Sequence, residues 1–354
     1  MAHIIRAFVL FSWLVVAAKS DYWLVTVQEA EDAFPELAGC GFNYYGASAY
    51  LHFLNHPGRQ ATPFAETRLV MLPPYFTIEH NWPVYGGGSF AKNMARPGPE
   101  APTENGVCRK VAARLVEWSL ERFAGAVVLV HDGSGDWADG YDAPGITLEA
   151  NPRVIVAKGD ALATRFRPKW DISMPPPMSE SMGRVRNTRD LWVHRAPTRK
   201  LGFKGTFNHA TRKRAAAALH KPERGFFVVP TSDNSFDYND MIGSSEFGLV
   251  IRGDVAFSYR FTEVVCGGAI PVVIADNWVI PFDDLVPFAS YGLRVSEDNV
   301  SGVIPLVESI DAERSASMRK RALRLCHSHL VTQYHQFETL LREAHRRVEH
   351  TSTY

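Results

Sequence analysis

Cysteine is scarce in this chain. Only Cys40, Cys108, Cys266 and Cys326 occur among 354 residues, and none stands in a Cys-x-x-Cys or Cys/His zinc spacing. That excludes a zinc-ribbon site or a dithiol redox motif. Cys266 sits in an apolar helix end, where a small buried filler is expected. No excess of either charge exists, because 38 Lys and Arg balance 38 Asp and Glu. No global field therefore favours nucleic acid or an anionic membrane. A Gly-x-Ser-x-Gly pattern is missing as well: "GGS" at 87–89 and "DGSGD" at 132–136 do not supply the nucleophile elbow of a serine hydrolase. Nor is there an apolar run long enough to span a bilayer comfortably. The nearest, Ala7 to Ala18, has twelve residues, follows Arg6 and leads to Ser20. It fits the h-region of a signal peptide, with a short uncleaved signal anchor and a buried strand as the competing readings.

What is present describes a folded protein of ordinary composition, 46% hydrophobic and 21% charged. Its length suits two domains. Short runs rich in Val, Ile, Leu and Phe recur without strict alternation: "DYWLVTV", "TRLVMLPPY", "AVVLVHDG", "RVIVAKG", "LWVHR" or "KLGFKG", "GFFVVP", "FGLVIRG", "AIPVVIA" and "GLRV". Strands buried on both faces of a parallel sheet read this way. Helical segments lie between them: "GASAYLHFLNH", "GVCRKVAARLVEWSLERF", "KGDALATRF", residues 208–220 and Ser258 to Val265. A charged, helical tail follows from Ala312 to Val348. The alternation predicts an α/β fold. The sharpest break is "WDISMPPPMSESMGRVRN" at 170–187, since three consecutive prolines fit neither helix nor central strand. We expect residues 1–20 as a leader, 21–175 as one domain and 176–350 as a second that carries the C-terminal helix. Residues 184–214 hold ten Arg or Lys, which read either as a solvated rim or as an anion-binding patch. Asn299-Val300-Ser301 is a glycosylation sequon, which agrees with a lumenal domain of the secretory pathway. There, one or two disulfides can form.

"FSYRFTEVVCGGAIPVVIADNWVIPFDD", residues 257–284, places Arg260 and Glu263 one helical turn apart ahead of a Gly-Gly turn and an apolar strand. Ser258 is expected to cap that helix. Phe261 occupies the position where a capping box would need Glu or Gln, so Glu263 is not the cap's partner. A cation in the first turn opposes the helix dipole unless an anion is near. Ser258, Arg260 and the free N–H groups could together hold a phosphate, and Glu263 could accept hydrogen bonds from ribose hydroxyls. The competing reading is a plain surface ion pair. Gly267 and Gly268 permit a tight turn into the strand. Asp276, Trp278, Pro281, Phe282 and Asp283 then form a loop able to face a sugar, or a simple turn.

The stretch 245–284 resembles the signature of the exostosin family, glycosyltransferase family 47. Ser245, Phe247, Leu249, Gly253, Ser258, Arg260, Glu263, Gly268, Ile270, Pro271, Val272, Pro281 and Phe282 match it. "WDISMPPP" is similar to its Asp-Ile-x-x-Pro-Pro segment. "RKLGFKGT" with "ATRKRAAAAL" resembles its strand followed by an Arg-containing helix. Gly248 stands where the family usually has Cys, Ile251 where it has Pro, and Ala269 where it has another Cys. These departures imply a family disulfide missing or rewired while donor binding is retained. In the first half, only His131, Asp132, Asp136 and Trp137 answer the family's Gly-Arg-Asp-His and His-Asp pattern.

The resemblance implies a GT-B architecture, two Rossmann-like domains with parallel sheets facing across a cleft. The first would be the acceptor side, and the second would hold the nucleotide-sugar. It further implies an inverting glycosyltransferase of the Golgi lumen or membrane that moves a sugar from a UDP-sugar to a glycan or polysaccharide hydroxyl. Lys204, Arg252 and Arg260 are the candidates for the diphosphate, Ser258 for an added hydrogen bond and Glu263 for the ribose. His131 and Asp132 end an apolar strand, where a base would stand, and Asp136 just beyond is a further candidate; the alternative is an ordinary turn. No Asp-x-Asp occurs, so no bound metal is expected, and no cofactor beyond the donor. The expected partners are the nucleotide-sugar, the glycan acceptor and a membrane met through the N-terminus. A second glycosyltransferase subunit is a further candidate partner, and the alternative reading of the chain is a non-catalytic carbohydrate-binding relative or partner subunit of a glycosyltransferase complex.

Overall fold

Runs such as "VIVAK" and "IPVVI" have no polar side, so they can only be strands covered on both faces. The computed structural model describes residues 21–39, 44–60, 64–73, 105–132, 151–159, 161–175, 196–253 and 256–351. In it these runs form two parallel five-stranded sheets, each in its own compact unit. The first unit takes the described residues of Met1–Lys158, Arg167–Ile172 and Phe337–Tyr354; the second takes those of Gly159–Phe166 and Ser173–Gln336. This is the α/β, GT-B type of construction. Residues 337–350, which the sequence reading assigns to the second domain, fall within the first unit. Among the described residues no helix is long and apolar enough to cross a membrane. The apolar run Ala7 to Ala18 lies outside them.

In the first unit, β1 (Trp23–Leu24), β2 (Leu69–Met71), β3 (Val127–Asp132), β4 (Val154–Lys158) and β5 (Ile172–Ser173) lie side by side in chain order. Helix α1 (Val27–Ala33) starts from a capping box in which Thr26 and Glu29 satisfy each other's backbone N–H. Helices α2 (Tyr44–Asn55) and α3 (Asn105–Arg122) precede β2 and β3. Side-chain alternation sends Val70, Val128, Val130, Val154 and Val156 into one core with Ala112, Leu115 and Val116 of α3. Residues of the other parity, His131 among them, face the opposite side, where Phe337 of the C-terminal helix Gln333–Thr351 meets the His131 ring edge-on at 5.9 Å. Asp171 of "WDISMPPP" is buried and structural. It accepts from the Val156 amide at 3.0 Å and from the Arg167 guanidinium at 2.6 Å, fastening the turn before β5 to β4.

The second unit contains β6 (Arg199–Gly205), β7 (Phe226–Pro230), β8 (Ser245–Ile251), β9 (Ile270–Ile274) and β10 (Leu293–Arg294), in the order β10-β9-β8-β6-β7. Helix α4 (Ala210–Leu219) follows β6, α5 (Tyr238–Gly243) precedes β8, and α6 (Arg260–Cys266) joins β8 to β9. Helices α7 (Val303–Glu308) and α8 (Ala312–Leu325) come after β10. One sheet face packs on α4 and α7 through Leu201, Phe247, Leu249, Ala215, Leu219 and Val303. On the other face Gly202 and Gly248 are register partners. A Cβ at Gly248 would stand 2.6 Å from Val264 Cγ1, so α6 lies tight on the sheet only because no side chain intervenes. Gly268, at φ +82°, ends α6 by a Schellman motif, with Ala269 N–H donating to Val264 O and Gly268 N–H to Val265 O.

Two expectations are corrected here. The stretch "KGDALATRF" is not a helix but a series of turns beyond β4, because its backbone pairs elsewhere: Leu162 bridges Trp278, and Val279 N–H donates to Ala161 O. Cys266 is not a simple filler, since it forms a disulfide with Cys326, 60 residues on. Spacing could not show this pairing. It depends on α6 ending beside the π-helical turn Cys326–Leu330 that continues α8.

Two outcomes follow from this packing. Gly248→Ala should overpack the α6 contact and cost about 1–3 kcal/mol in urea unfolding, without removing any polar group of the site. In the first unit, His52 Nε2 and His56 Nε2 each lie 3.2 Å from Glu338 Oε1. Burial acts to raise the Glu338 pKa, but the hydrogen bonds and charges of the two histidines outweigh it and hold the carboxyl at about 2. The folded value lies below the ordinary carboxyl value, so this stabilisation is present above about pH 4.5 and is lost as pH falls toward 2. Glu338→Gln should flatten that part of the acid-unfolding curve.

Candidate functional site

A sheet ordered β10-β9-β8-β6-β7 reverses direction between β6 and β8. Ligands of open α/β sheets bind beyond the carboxyl ends of strands at such a switch point. Here β6 ends at Gly205 and β8 at Ile251. Arg212 of α4 ties the two ends together. Its Nε donates to Arg252 O at 3.0 Å, Nη2 to Ile251 O at 3.3 Å and Nη1 to Thr206 O at 3.3 Å. Arg252 in turn donates Nη1 to Glu297 Oε1 at 3.3 Å. Glu297 also accepts from Thr211 Oγ1 at 2.9 Å and from Asp276 N–H at 3.0 Å. Burial works to raise the Glu297 pKa, and these donors override it and lower the value.

Beyond β8 the chain enters α6, which carries Arg260 and Glu263. Tyr259 holds the N-cap position in a helical conformation and makes no side-chain cap bond, while Ser258, one residue earlier, gives its carbonyl to Phe261 N–H at 3.0 Å. Its buried hydroxyl accepts from Arg260 N–H at 3.4 Å. Glu263 is 1% exposed. Arg260 Nη1 reaches its Oε2 at 2.6 Å, and the Tyr238 hydroxyl donates to the same oxygen. The Arg260 guanidinium sits 4.4 Å from the Tyr238 ring centroid. Burial pushes the phenol well above its usual value against the pull of Arg260, helped by the Glu263 charge, so Tyr238 remains a donor. Lys204, near the end of β6, donates Nζ to Asp233 O at 2.8 Å and Phe236 O at 2.6 Å. Two of its three N–H groups are thus engaged in holding the loop that leads to Tyr238.

The structure therefore brings Ser258, Arg260 and Glu263 together. It places Arg252 in the Arg212–Glu297 network and Lys204 behind the Tyr238 loop. Tyr238, Arg212 and Glu297 were not singled out from sequence. Arg212 had a signal in the Arg-containing helix after "FKG", whereas Tyr238 and Glu297 stand in no motif of the sequence. The loop after β9 is no aromatic platform. Trp278 is 1% exposed, donates Nε1 to Gly159 O at 3.1 Å and packs edge-on against Phe261. Asp283 accepts from Phe288 N–H, and Asp276 from Glu297 N–H.

In the first unit, His131 ends the apolar run of β3 as expected, but it is only 6% exposed. Its Nδ1 has no hydrogen-bond partner among the described residues. Burial lowers its pKa to about 4, leaving a neutral imidazole and a weak base. Asp132 closes the strand, while Asp136 and Trp137 lie outside the described residues. Because the folded value lies below that of the unfolded chain, stability is full above about pH 6.5 and falls as pH drops toward 4. His131→Gln should remove a pH dependence of ~3 kcal/mol across that window. Thermal melts of wild type and variant should converge in shape above pH 7.

Residues 130–310 match the Exostosin GT47 domain. A Caenorhabditis elegans protein named Exostosin-1 homolog is 30% identical over 95 residues, covering 27% of this chain and 25% of that protein. Drosophila melanogaster Exostosin-1 is 26% identical over 235 residues, covering 59% of this chain and 30% of the relative. The chain thus spans between a quarter and a third of the length of these curated relatives. Among solved structures it is similar to Anabaena Alr3699/HepE in complex with UDP, at 11% identity and a TM-score of 0.39, covering 95% of this chain and 100% of that one. The matched segment takes in just over half of the chain, including β6 to β9 and the Arg260–Glu263 helix, and the chain belongs to the exostosin GT47 family.

Proposed function

We propose that this chain is an inverting glycosyltransferase that takes a sugar from a UDP-sugar and passes it to a glycan or polysaccharide hydroxyl. One observation carries the reading: Arg260 is held on a buried Glu263 carboxylate at the start of the helix that follows β8. In the proposed reaction a base removes the acceptor proton. The acceptor oxygen then attacks the anomeric carbon, and the bond from that carbon to the diphosphate breaks on the opposite face. The leaving UDP carries the new negative charge, which fixed cations must meet. Arg260 and Arg252 would meet that charge, with the third N–H of Lys204, and Ser258 adds a hydroxyl. Glu263 accepts from the ribose. Asp132 and Asp136 are the proposed bases beside His131, whose low basicity counts against it. No resident cofactor or metal enters this scheme.

We place the protein in the secretory pathway, in the Golgi lumen or at its membrane through the N-terminal apolar run. The Cys266–Cys326 disulfide and the Asn299 sequon support an oxidising, glycosylating compartment. A second reading, a non-catalytic carbohydrate-binding relative or partner subunit, draws support from the buried His131.

Calorimetric titration with UDP tests the donor site. Arg260→Ala and Glu263→Ala should each weaken UDP by about 2 kcal/mol, roughly thirtyfold. A wild-type protein that ignores UDP sinks the donor-site reading. Hydrolysis across a panel of UDP-sugars then separates the two functions, because binding without any turnover leaves the partner-subunit reading standing.

A further inference from the structure

We infer that Tyr238 is the positioning residue that sets Arg260 and Glu263 for a nucleoside diphosphate, an inference that rests on the donor-site reading above. A carboxylate that is 1% exposed is costly unless its oxygens are met by donors. Arg260 meets Glu263 from the same short helix, three residues away, on a side chain that is still 25% exposed. Such a side chain has rotamers that leave the carboxylate for water. Tyr238 acts on both members at once. Its hydroxyl donates to Glu263 Oε2, and its ring lies 4.4 Å from the Arg260 guanidinium, a cation–π distance. The ring fixes the cation that would face phosphate, and the hydroxyl fixes the carboxylate that would face the ribose.

The placement of Tyr238 is itself built. It is the first residue of α5, whose cap is Asp237 accepting from Asp240 N–H at 2.8 Å. The loop before it is fastened where Lys204 Nζ donates to the carbonyls of Asp233 and Phe236. Lys204 sits on the sheet face that Gly202 and Gly248 leave open to α5 and α6. Strand β6 therefore governs the geometry of the pair on α6 through this loop and this tyrosine. A packing role alone would need only the ring. The hydroxyl on a buried carboxylate is the feature that marks positioning.

The test uses the full chain and two probes, UDP and inorganic diphosphate, measured calorimetrically with wild type, Tyr238→Phe, Tyr238→Leu and Glu263→Ala. Phenylalanine keeps the ring on Arg260 and loses only the donor to Glu263. Expected are a roughly tenfold weaker UDP affinity for Tyr238→Phe, with inorganic diphosphate binding changed by less than about twofold, and weakening of both probes for Tyr238→Leu. Thermal melts of Tyr238→Phe guard against a folding defect. Equal weakening of both probes by Tyr238→Phe would mean general loosening and overturn the assignment. So would wild-type UDP affinity in Tyr238→Phe while Glu263→Ala still binds poorly; in that case the donor site stands and only the tyrosine's role falls. Absence of UDP binding by the wild type removes the donor-site reading and this inference with it.

Discussion

The burial of the Glu263 carboxylate is the constraint on which the second unit's architecture turns. An ion removed from water costs several kcal/mol unless partners in good geometry replace the solvent. Here the partners are Arg260 and Tyr238, and the backbone arranges both. Helix α6 must lie against the sheet for Glu263 to be buried at all, and it can do so because Gly248 offers no Cβ to Val264. Gly267 is equally committed, since a Cβ there would stand 2.3 Å from Ile242 Cγ2 of α5. The Schellman turn at Gly268 then starts β9 at once. The Cys266–Cys326 disulfide ties the far end of α6 to the end of α8. Each feature limits how far α6 can slide, and the position of the ion pair is the sum of those limits.

Three cations near the switch point show how context divides residues of one type. Lys204, Arg252 and Arg260 are all expected from sequence to face phosphate. Lys204 spends two donors on carbonyls of one loop, and Arg252 shares Glu297 with Thr211 and the Asp276 amide. Only Arg260 is paired within its own helix and braced by an aromatic ring. Its Nε has no partner among the described residues, so its donor capacity is not used up by the fold. Lys204 and Arg252 thus spend part of their donor capacity on the fold, while the Nε of Arg260 is unpaired among the described residues.

Much of the fold was legible because its strands are buried on both faces. A run such as Val154–Lys158 or Ile270–Ile274 has no polar alternation to confuse it with an amphipathic element. Residues 158–166 misled because "GDALATRF" has helical composition, while its backbone is claimed by the segment around Trp278, more than a hundred residues later. Distance along the chain also hid the disulfide and the tyrosine. Arg260 and Glu263 were visible as a pair since three residues separate them. Tyr238 lies 25 residues before Glu263, at the start of a different helix, so no spacing along the chain links them. Ser258 stands one residue ahead of the N-cap because Tyr259 already has helical φ and ψ, yet its hydroxyl still accepts from the first helical N–H, that of Arg260.

Gly248 is the position where sequence and structure inform each other most. Against its family it looks like a lost cysteine, a mark of erosion. In the fold it is the register partner of Gly202, and the two leave the same sheet face bare beneath α5 and α6. Restoring a side chain there would lift α6, and lifting α6 would expose Glu263 and open the contact with Tyr238. The departure from the family pattern therefore belongs to the same set of close contacts that positions the ion pair.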